Sequence, residues 1–287
     1  MRTGSTFTRW LAIGTVTLAL IAAGNFLRWD KIHVVLPADP VFHVGDLVVT
    51  NTMIAGLLAV VLAGSFFAYA LRNPRLVPGR LQGLAELIIE GFLNLCISVA
   101  GERNGRRFFP LVTSFFIFII TCNWMGLLPG YLTIGVYHEV DHELEMVPIL
   151  RSATTDLNTT VALALVSVIA AQVYGVRSLG FSSYFGRFIN FKQGPIGFYI
   201  GILETISELA KVISLSFRLF GNIFAGEVLL SVIGFLVPLV VTIPFLGLEL
   251  FVGAIQAFVF ALLTLVFSTM AVTAHDEAHA SEASPRH

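Results

Sequence analysis

Charged side chains are scarce in this chain. Of its 287 residues 12% are Asp, Glu, Lys or Arg, against roughly 25% in a soluble domain, and the shortage excludes an ordinary water-soluble globular protein. Cysteine is scarcer still. Cys96 and Cys122 stand in or beside apolar stretches without metal-ligand spacing, so they read as buried spectators. The formal net charge is −1, and no basic patch has the size that nucleic acid or an anionic surface requires, which excludes those partners. Also missing are an inverted internal repeat of the kind found in secondary transporters, a soluble domain with a linker to it, and any low-complexity segment.

What the chain has instead is apolar length. Hydrophobic residues make up 56% of it. Uncharged runs at 47–71, 108–137, 157–176, 228–248 and 250–274 each supply the ~20 residues a helix needs to cross a hydrocarbon core. The fold class that follows is an all-α membrane protein with about five spanning helices. They are expected near 50–72, 108–133 and 155–176, with a long final pair beginning after Pro195 and after Pro244. Pro238 and Gly247 mark the turn region between that pair. Arg2 and Arg9 precede an apolar stretch from Trp10 to Leu27, which resembles a signal sequence. It reads as a retained signal-anchor helix, with cleavage at Ala22-Ala23-Gly24 as the alternative. Residues 1–45 are thus an N-terminal apolar segment and outer-side linker, and 46–287 the membrane domain.

Orientation follows from Lys and Arg, which gather in short cytoplasmic loops. Arg72-Arg75-Arg80, Arg103-Arg106-Arg107 and Arg177-Arg187-Lys192 form three clusters, whereas His138-Glu139-Val140-Asp141-His142-Glu143-Leu144-Glu145 is acidic and belongs outside. The tail Ala274–His287 is then cytoplasmic. Residues 81–101 are apolar enough for a helix but carry arginine clusters at both ends, so a crossing would put one cluster on the wrong side. Glu86 and Glu90 share one face, and the segment reads as an amphipathic helix along the cytoplasmic surface.

Residues 196–230 are a long apolar helix interrupted by Glu204, Glu208, Lys211, Arg218 and Glu227. A central Arg or Lys costs about 2.5–3.5 kcal/mol to insert, so such groups face a partner or a water-filled cavity. At 100° per residue Glu204, Ser207, Lys211, Ser214, Arg218 and Asn222 fall within about 40° of one direction. Glu227 points roughly 180° away and about 13 Å further along. Glu249, Gly253 and Gln256 share a face of the following helix, a natural mate for Glu227. For Glu204, Glu208 and Lys211 two readings remain: paired ions near the boundary, or part of a route. Arg218 is different, because a guanidinium keeps its charge and nothing on its own stripe in the adjacent turn neutralises it. Its partner is expected on another chain, and a carboxylate is the fitting chemistry.

The stretch Ser216-Phe217-Arg218-Leu219-Phe220-Gly221-Asn222-Ile223-Phe224-Ala225-Gly226-Glu227 closely resembles the signature of subunit a of F-type ATP synthases. Asn123-Trp124-Met125-Gly126-Leu127-Leu128-Pro129-Gly130, Ser152-Ala153-Thr154-Thr155-Asp156-Leu157-Asn158 and Gln256-Ala257-Phe258-Val259-Phe260 add to the resemblance. It implies a stator that carries protons past a rotating ring of c subunits through two offset half-channels, with Arg218 as the essential, channel-separating arginine. Asn222, Glu227, Glu249 and Gln256 match the outer route, and Glu204 and Ser207 the inner one. Where the best-known bacterial pattern has a histidine, this chain has Glu249. Two facing acids resist being charged together, which suggests that Glu227 and Glu249 share protons. The resemblance further implies a c-ring carboxylate opposite Arg218, b subunits of a peripheral stalk, the rest of the synthase and the lipid bilayer as partners. It implies no cofactor or metal, the proton as default ion, no active site of the chain's own, and a bacterial inner membrane with the C-terminus cytoplasmic.

Weaker signals keep two readings each. His138 and His142 are four apart and would suit a divalent ion if helical, or they belong to a solvated acidic loop at a channel mouth. Asp156 and Asn158 either cap a helix or line the outer channel entrance. His275 and His279 lie in a polar tail without the Glu of a protease motif. The rival functions are a self-contained ion-coupled transporter, which lacks its repeat pair here, and an intramembrane enzyme, for which no catalytic spacing exists within the spans.

Overall fold

A computed structural model describes residues 38–45, 47–128, 131, 135–140, 143–181, 184, 194–236 and 241–273. The expected signal-anchor helix, His142, Arg187, Lys192, Pro238 and the tail after Thr273 lie outside the described residues. Five helices dominate: α1 (Asn51–Ala70), α2 (Arg80–Gly126), α3 (Leu157–Leu179), α4 (Gly194–Leu236) and α5 (Thr242–Thr273). All five are long and apolar enough to cross a membrane, as the uncharged runs require. The chain is an all-α membrane protein.

Two short antiparallel hairpins, which the apolar pattern does not announce, sit on connections. β1 (Pro40–Val44) pairs with β2 (Leu47–Thr50), and Gly45 between them takes φ +63°, a conformation that favours glycine. β3 (Gly135–Val140) pairs with β4 (Glu143–Pro148), setting His138 opposite Glu145. His138 is therefore in a strand. The helical spacing that a shared ion with His142 presumed does not exist there.

α1 begins where Thr50 accepts a hydrogen bond from the Met53 amide (3.4 Å), which satisfies one of the donors that a helix start leaves open. Its small residues Ala55 and Ala59 are buried against Cys122, Met125 and Ala153. Leu57, Val60, Val61 and Leu62 are exposed, as a lipid-facing side requires. α1 stops short of Asn73-Pro74, where proline biases its predecessor away from helix.

α2 is two helices joined at Gly101, whose φ of +77° and ψ of 166° break the spiral. The halves fold back on each other so closely that a Cβ on Gly105 would stand 2.6 Å from the Cys96 carbonyl oxygen. Phe92 and Cys96 of the first half are packed with Phe108 and Val112 of the second and with Ala261, Leu265 and Val272 of α5. The break falls where the two arginine clusters demand one. The second half starts well before residue 108 and ends at Gly126 rather than 133. Pro110 is accommodated inside it.

α3 is capped by Asp156, whose carboxylate accepts from the Asn158 amide at 3.0 Å. α4 starts at Gly194 with Pro195 in its first turn, and α5 at Thr242 with Pro244 in its first turn. Each helix begins slightly before its proline, because first-turn N–H groups have no intrahelical partner to lose. Gly247 is consequently helical, not part of a turn. At 1.5 Å per residue the 43 residues of α4 extend about 64 Å, roughly twice the ~30 Å hydrocarbon core.

The core that fixes α4 is contributed by four helices. Leu215, Leu219 and Ile223 pack with Phe115 and Ile119 of α2, Ala164 and Val168 of α3, and Ala257 and Phe260 of α5. Ser167 and Thr264 exchange a buried 2.8 Å hydroxyl contact between α3 and α5. Gly175 lets α3 approach α5, since a Cβ there would collide with the Tyr184 ring and meet the Ala271 carbonyl oxygen at 3.0 Å.

Candidate functional site

α4 buries one side and leaves the other open. Leu215, Ser216, Leu219, Phe220 and Ile223 are buried, whereas Ile206, Leu209, Ile213 and Phe217 are among its exposed side chains. Arg218 lies at the edge of the open side and is itself exposed. Its Nη2 reaches the Ser214 hydroxyl at 3.5 Å. Among the described residues it has no carboxylate partner.

The stripe expected from the helical projection is visible in this geometry. Ser207, Ser214, Arg218 and Asn222 are exposed, and Glu204 and Lys211 half-buried. Lys211 departs from it by turning onto Glu208, with Nζ 2.6 Å from the carboxylate, and it lies 5.3 Å from the Phe267 ring centroid. For these two residues the paired-ion reading is the one observed. Their small cleft is walled by Val168, Ala171 and Gln172 of α3 and by Phe267, Met270 and Ala271 of α5.

One turn beyond Arg218, towards the end of the bundle where α1 and α3 begin, Asn222 donates to the Gln256 side-chain oxygen at 2.8 Å. Two residues expected to act together thus touch directly. A further turn along, Gly226 receives the Glu249 carboxyl group, and a Cβ at that position would collide with it. Gly253, between Gln256 and Glu249, accepts through its carbonyl from the Asn123 side chain (2.9 Å). The face Glu249–Gly253–Gln256 therefore mates with Asn222, Gly226 and Asn123. The expected contact to Glu227 is displaced by one residue, because α5 packs on the buried side of α4 and Gly226, not Glu227, points there.

Glu227 has a different partner. Arg151, just before the turn Ala153–Thr155, places Nε 3.1 Å from one carboxylate oxygen. Its guanidinium also lies 6.0 Å from the Phe224 ring centroid. Arg151 was not among the residues singled out from sequence. The available signal was its position: a lone arginine on the side assigned to neutral and acidic connections, directly ahead of Ser152–Asn158.

That connection gathers the same end of the molecule. Ser152 donates to the Cys122 carbonyl at 3.0 Å and contacts Thr154, which donates to Asn123 at 2.6 Å. Trp124 donates to the Leu250 carbonyl at 3.1 Å. Thr52 donates to Asp156 at 3.2 Å, and Asn51 donates to Asp39 at 3.4 Å and to the Pro148 carbonyl at 3.2 Å. Asp156 therefore caps α3 and ties α1 to it, with Asn158 as the amide it caps. The motif stretches at 123–130, 152–158 and 256–260 are far apart in sequence, yet residues of all three enter this one polar assembly beside the helix that carries Arg218.

Residues 52–269 match the ATP synthase A chain family. The chain belongs to that family. It is 32% identical over 237 residues to ATP synthase subunit a of Moorella thermoacetica, an overlap covering 82% of this chain and 96% of that relative. It is 34% identical over 262 residues to ATP synthase subunit a of Gloeobacter violaceus, covering 91% and 95%. Arg218 and its surroundings, Asn222, Glu227, Glu249 and Gln256, all fall within the matched A chain segment.

Proposed function

We propose that this chain is the membrane stator of a proton-driven rotary ATP synthase and conducts protons through two offset half-channels. The observation that carries the reading is Arg218 itself, a permanent cation on the open face of α4 whose contact among the described residues is a serine hydroxyl. A charge of that kind in an apolar helix needs compensation, and a carboxylate presented by a neighbouring c-subunit ring supplies it.

Arg218 favours the ionised form of whichever ring carboxylate faces it, and so bars a proton from passing directly between the channels. The proton bypasses the arginine on the rotating ring. The outer half-channel runs through Glu227, Glu249, Gln256 and Asn222, with Asp156, Asn158, His138 and His142 at its entrance. The inner one runs through Glu204 and Ser207. Glu204 and Glu227 are about 34 Å apart along the helix, comparable with the hydrocarbon thickness, and Arg218 lies between them. A proton descending the membrane potential releases about 2.3 kcal/mol per 100 mV, which biases rotation when several pass per turn. The membrane is a bacterial inner membrane, with the C-terminus cytoplasmic. Alongside the ring, b subunits and the catalytic head complete the assembly.

Gentle detergent purification tests the reading. Co-isolation of the chain with a c-subunit ring and an ATP-hydrolysing head is the expected outcome. Substrate uptake by liposomes containing this chain alone would overturn it in favour of a self-contained transporter.

A further inference from the structure

Between α1 and α2 the chain combines exposed apolar residues with one sign of charge. Asn73-Pro74-Arg75-Leu76-Val77-Pro78-Gly79-Arg80 sets Leu76 and Val77 between two prolines, with Arg72, Arg75 and Arg80 around them. No Asp or Glu occurs between Asp46 and Glu86. The connection is held in one shape. Each proline fixes its own φ at about −65° and biases the residue before it towards an extended backbone. Gln82, buried in the first turn of α2, grips Arg75 through its side-chain amide. It accepts from the Arg75 N–H at 3.1 Å and donates to the Arg75 carbonyl at 3.0 Å. The same nitrogen donates to Glu86 at 2.7 Å.

This clamp leaves Leu76 fully exposed and Val77 83% exposed. Leu81, Leu84 and Leu87 follow at three-residue spacing, within about 120° of one another around the helix, and all three are exposed as well. Arg72, Arg75 and Arg80 are exposed, and among the described residues none of them has a carboxylate within ion-pair distance. Five outward apolar side chains form a patch that water alone does not suit. The arginines between them do not suit the hydrocarbon core either, where such a charge is costly. The level between the two follows from α1. Its 20 residues rise about 30 Å, the thickness of that core. Tyr69, exposed in its last turn, is of the type enriched at the headgroup level. The connection 72–80 therefore leaves α1 where the phosphates begin.

We propose that residues 72–80, continued by Leu81, Leu84 and Leu87 on α2, are a binding site for anionic phospholipid in the leaflet where α1 ends. Leu76 and Val77 enter the boundary between headgroups and acyl chains and set the depth. Arg72, Arg75 and Arg80 select the lipid, because a guanidinium matches a phosphate through paired N–H groups. A zwitterionic headgroup brings its own cation among three others. The prolines and the Gln82 clamp hold the site in shape beforehand, which lowers the ordering cost of binding. The proposal needs only the membrane class of the chain and stands apart from the half-channel reading. In the orientation proposed above, the leaflet is the cytoplasmic one. Each arginine beside a negatively charged leaflet strengthens association roughly fivefold, and salt screens that share, whereas the apolar share is indifferent to headgroup charge.

The test uses the assembled complex in phosphatidylcholine vesicles, with a fluorophore on Leu76→Cys; Cys96 and Cys122 are buried and stay unlabelled. Nitroxide-labelled phosphatidylglycerol is expected to quench the fluorophore at a roughly tenfold lower membrane concentration than nitroxide-labelled phosphatidylcholine. Combining Arg72→Gln, Arg75→Gln and Arg80→Gln should bring the two lipids within about threefold of each other. Raising the salt to about 1 M should narrow the difference in the unmutated connection, which decides the matter if the triple variant does not assemble. Equal quenching by both lipids at low salt, or a preference that survives the triple substitution, would overturn the proposal. Quenching by aqueous iodide alone would overturn it by placing Leu76 in water. Protection from iodide and from both lipids would overturn it by placing a protein partner over the patch.

Discussion

Arg218 and Arg151 are both guanidinium groups on apolar framework, yet their surroundings are opposite. Arg151 is almost fully buried and neutralised within the chain by Glu227. Arg218 is exposed on the open side of α4, close to a serine hydroxyl. Arg218 was legible in sequence because it interrupts a long apolar helix and has polar neighbours at helical spacing. Arg151 was not, because it stands alone outside any span, and only the folded chain reveals that the connection carrying it turns inward to α4. Gly226 makes a further point at this scale. Its missing Cβ is the space occupied by the Glu249 carboxyl, so Gly226→Ala must push α5 outward or expel Glu249. Overpacking of this kind costs about 1–3 kcal/mol. The expected result is an assembled complex with lower thermal stability and proton-driven synthesis reduced at least tenfold. Wild-type rates in that variant would show that the contact is dispensable.

Among the elements, α2 gives the clearest case of a structure dictated by charge. Arginine clusters at both ends of 81–101 forbid a simple crossing, and the helix breaks at Gly101, where φ +77° with ψ 166° suits glycine. A Cβ at that position is strained by about 1–3 kcal/mol, although open space surrounds it. Gly101→Ala should therefore weaken the fold-back of the two halves without creating a clash. The expected result is thermal unfolding of the Gly101→Ala variant at a lower temperature than the parent chain in the same detergent. Equal unfolding temperatures would show that the break is imposed by packing alone. The hairpins at 40–50 and 135–148 were not legible. Each strand is only four to six residues long, too short for a two-residue alternation to stand out beside helical runs several times longer. The helix starts expected after Pro195 and after Pro244 were placed two and three residues late, because a first-turn proline signals a helix already begun.

Among the described residues most polar contacts between elements collect at one end of the bundle, and a broad apolar side of α4 stays uncovered. An uncovered apolar side alone would suit lipid. The polar stripe at its edge, centred on Arg218, does not, and that combination is what a rotating partner with a single carboxylate per subunit would match. Cysteines at Ile206 or Ile213, both more than half exposed, should form disulfides in oxidised membranes with a second cysteine introduced on the outer face of the ring subunit. Cysteines at Leu215 or Leu219, which are buried against α2, α3 and α5, should not. Ring cross-links from the buried positions and none from the exposed ones would place the partner on another face. Membrane class, helix order and the polar stripe that contains Arg218 were thus readable from the chain alone. The mating of Asn222 with Gln256 and of Gly226 with Glu249 depended on how α5 is rotated against α4, which no periodicity within one helix determines.

The central claim is that Arg218 separates two proton paths, and its most direct measurement is proton-driven ATP synthesis by membranes carrying Arg218→Ala in a fully assembled complex. The expected result is synthesis below detection, with an increased passive proton leak through the membrane sector. Synthesis at the wild-type rate, with no added leak, would contradict the account.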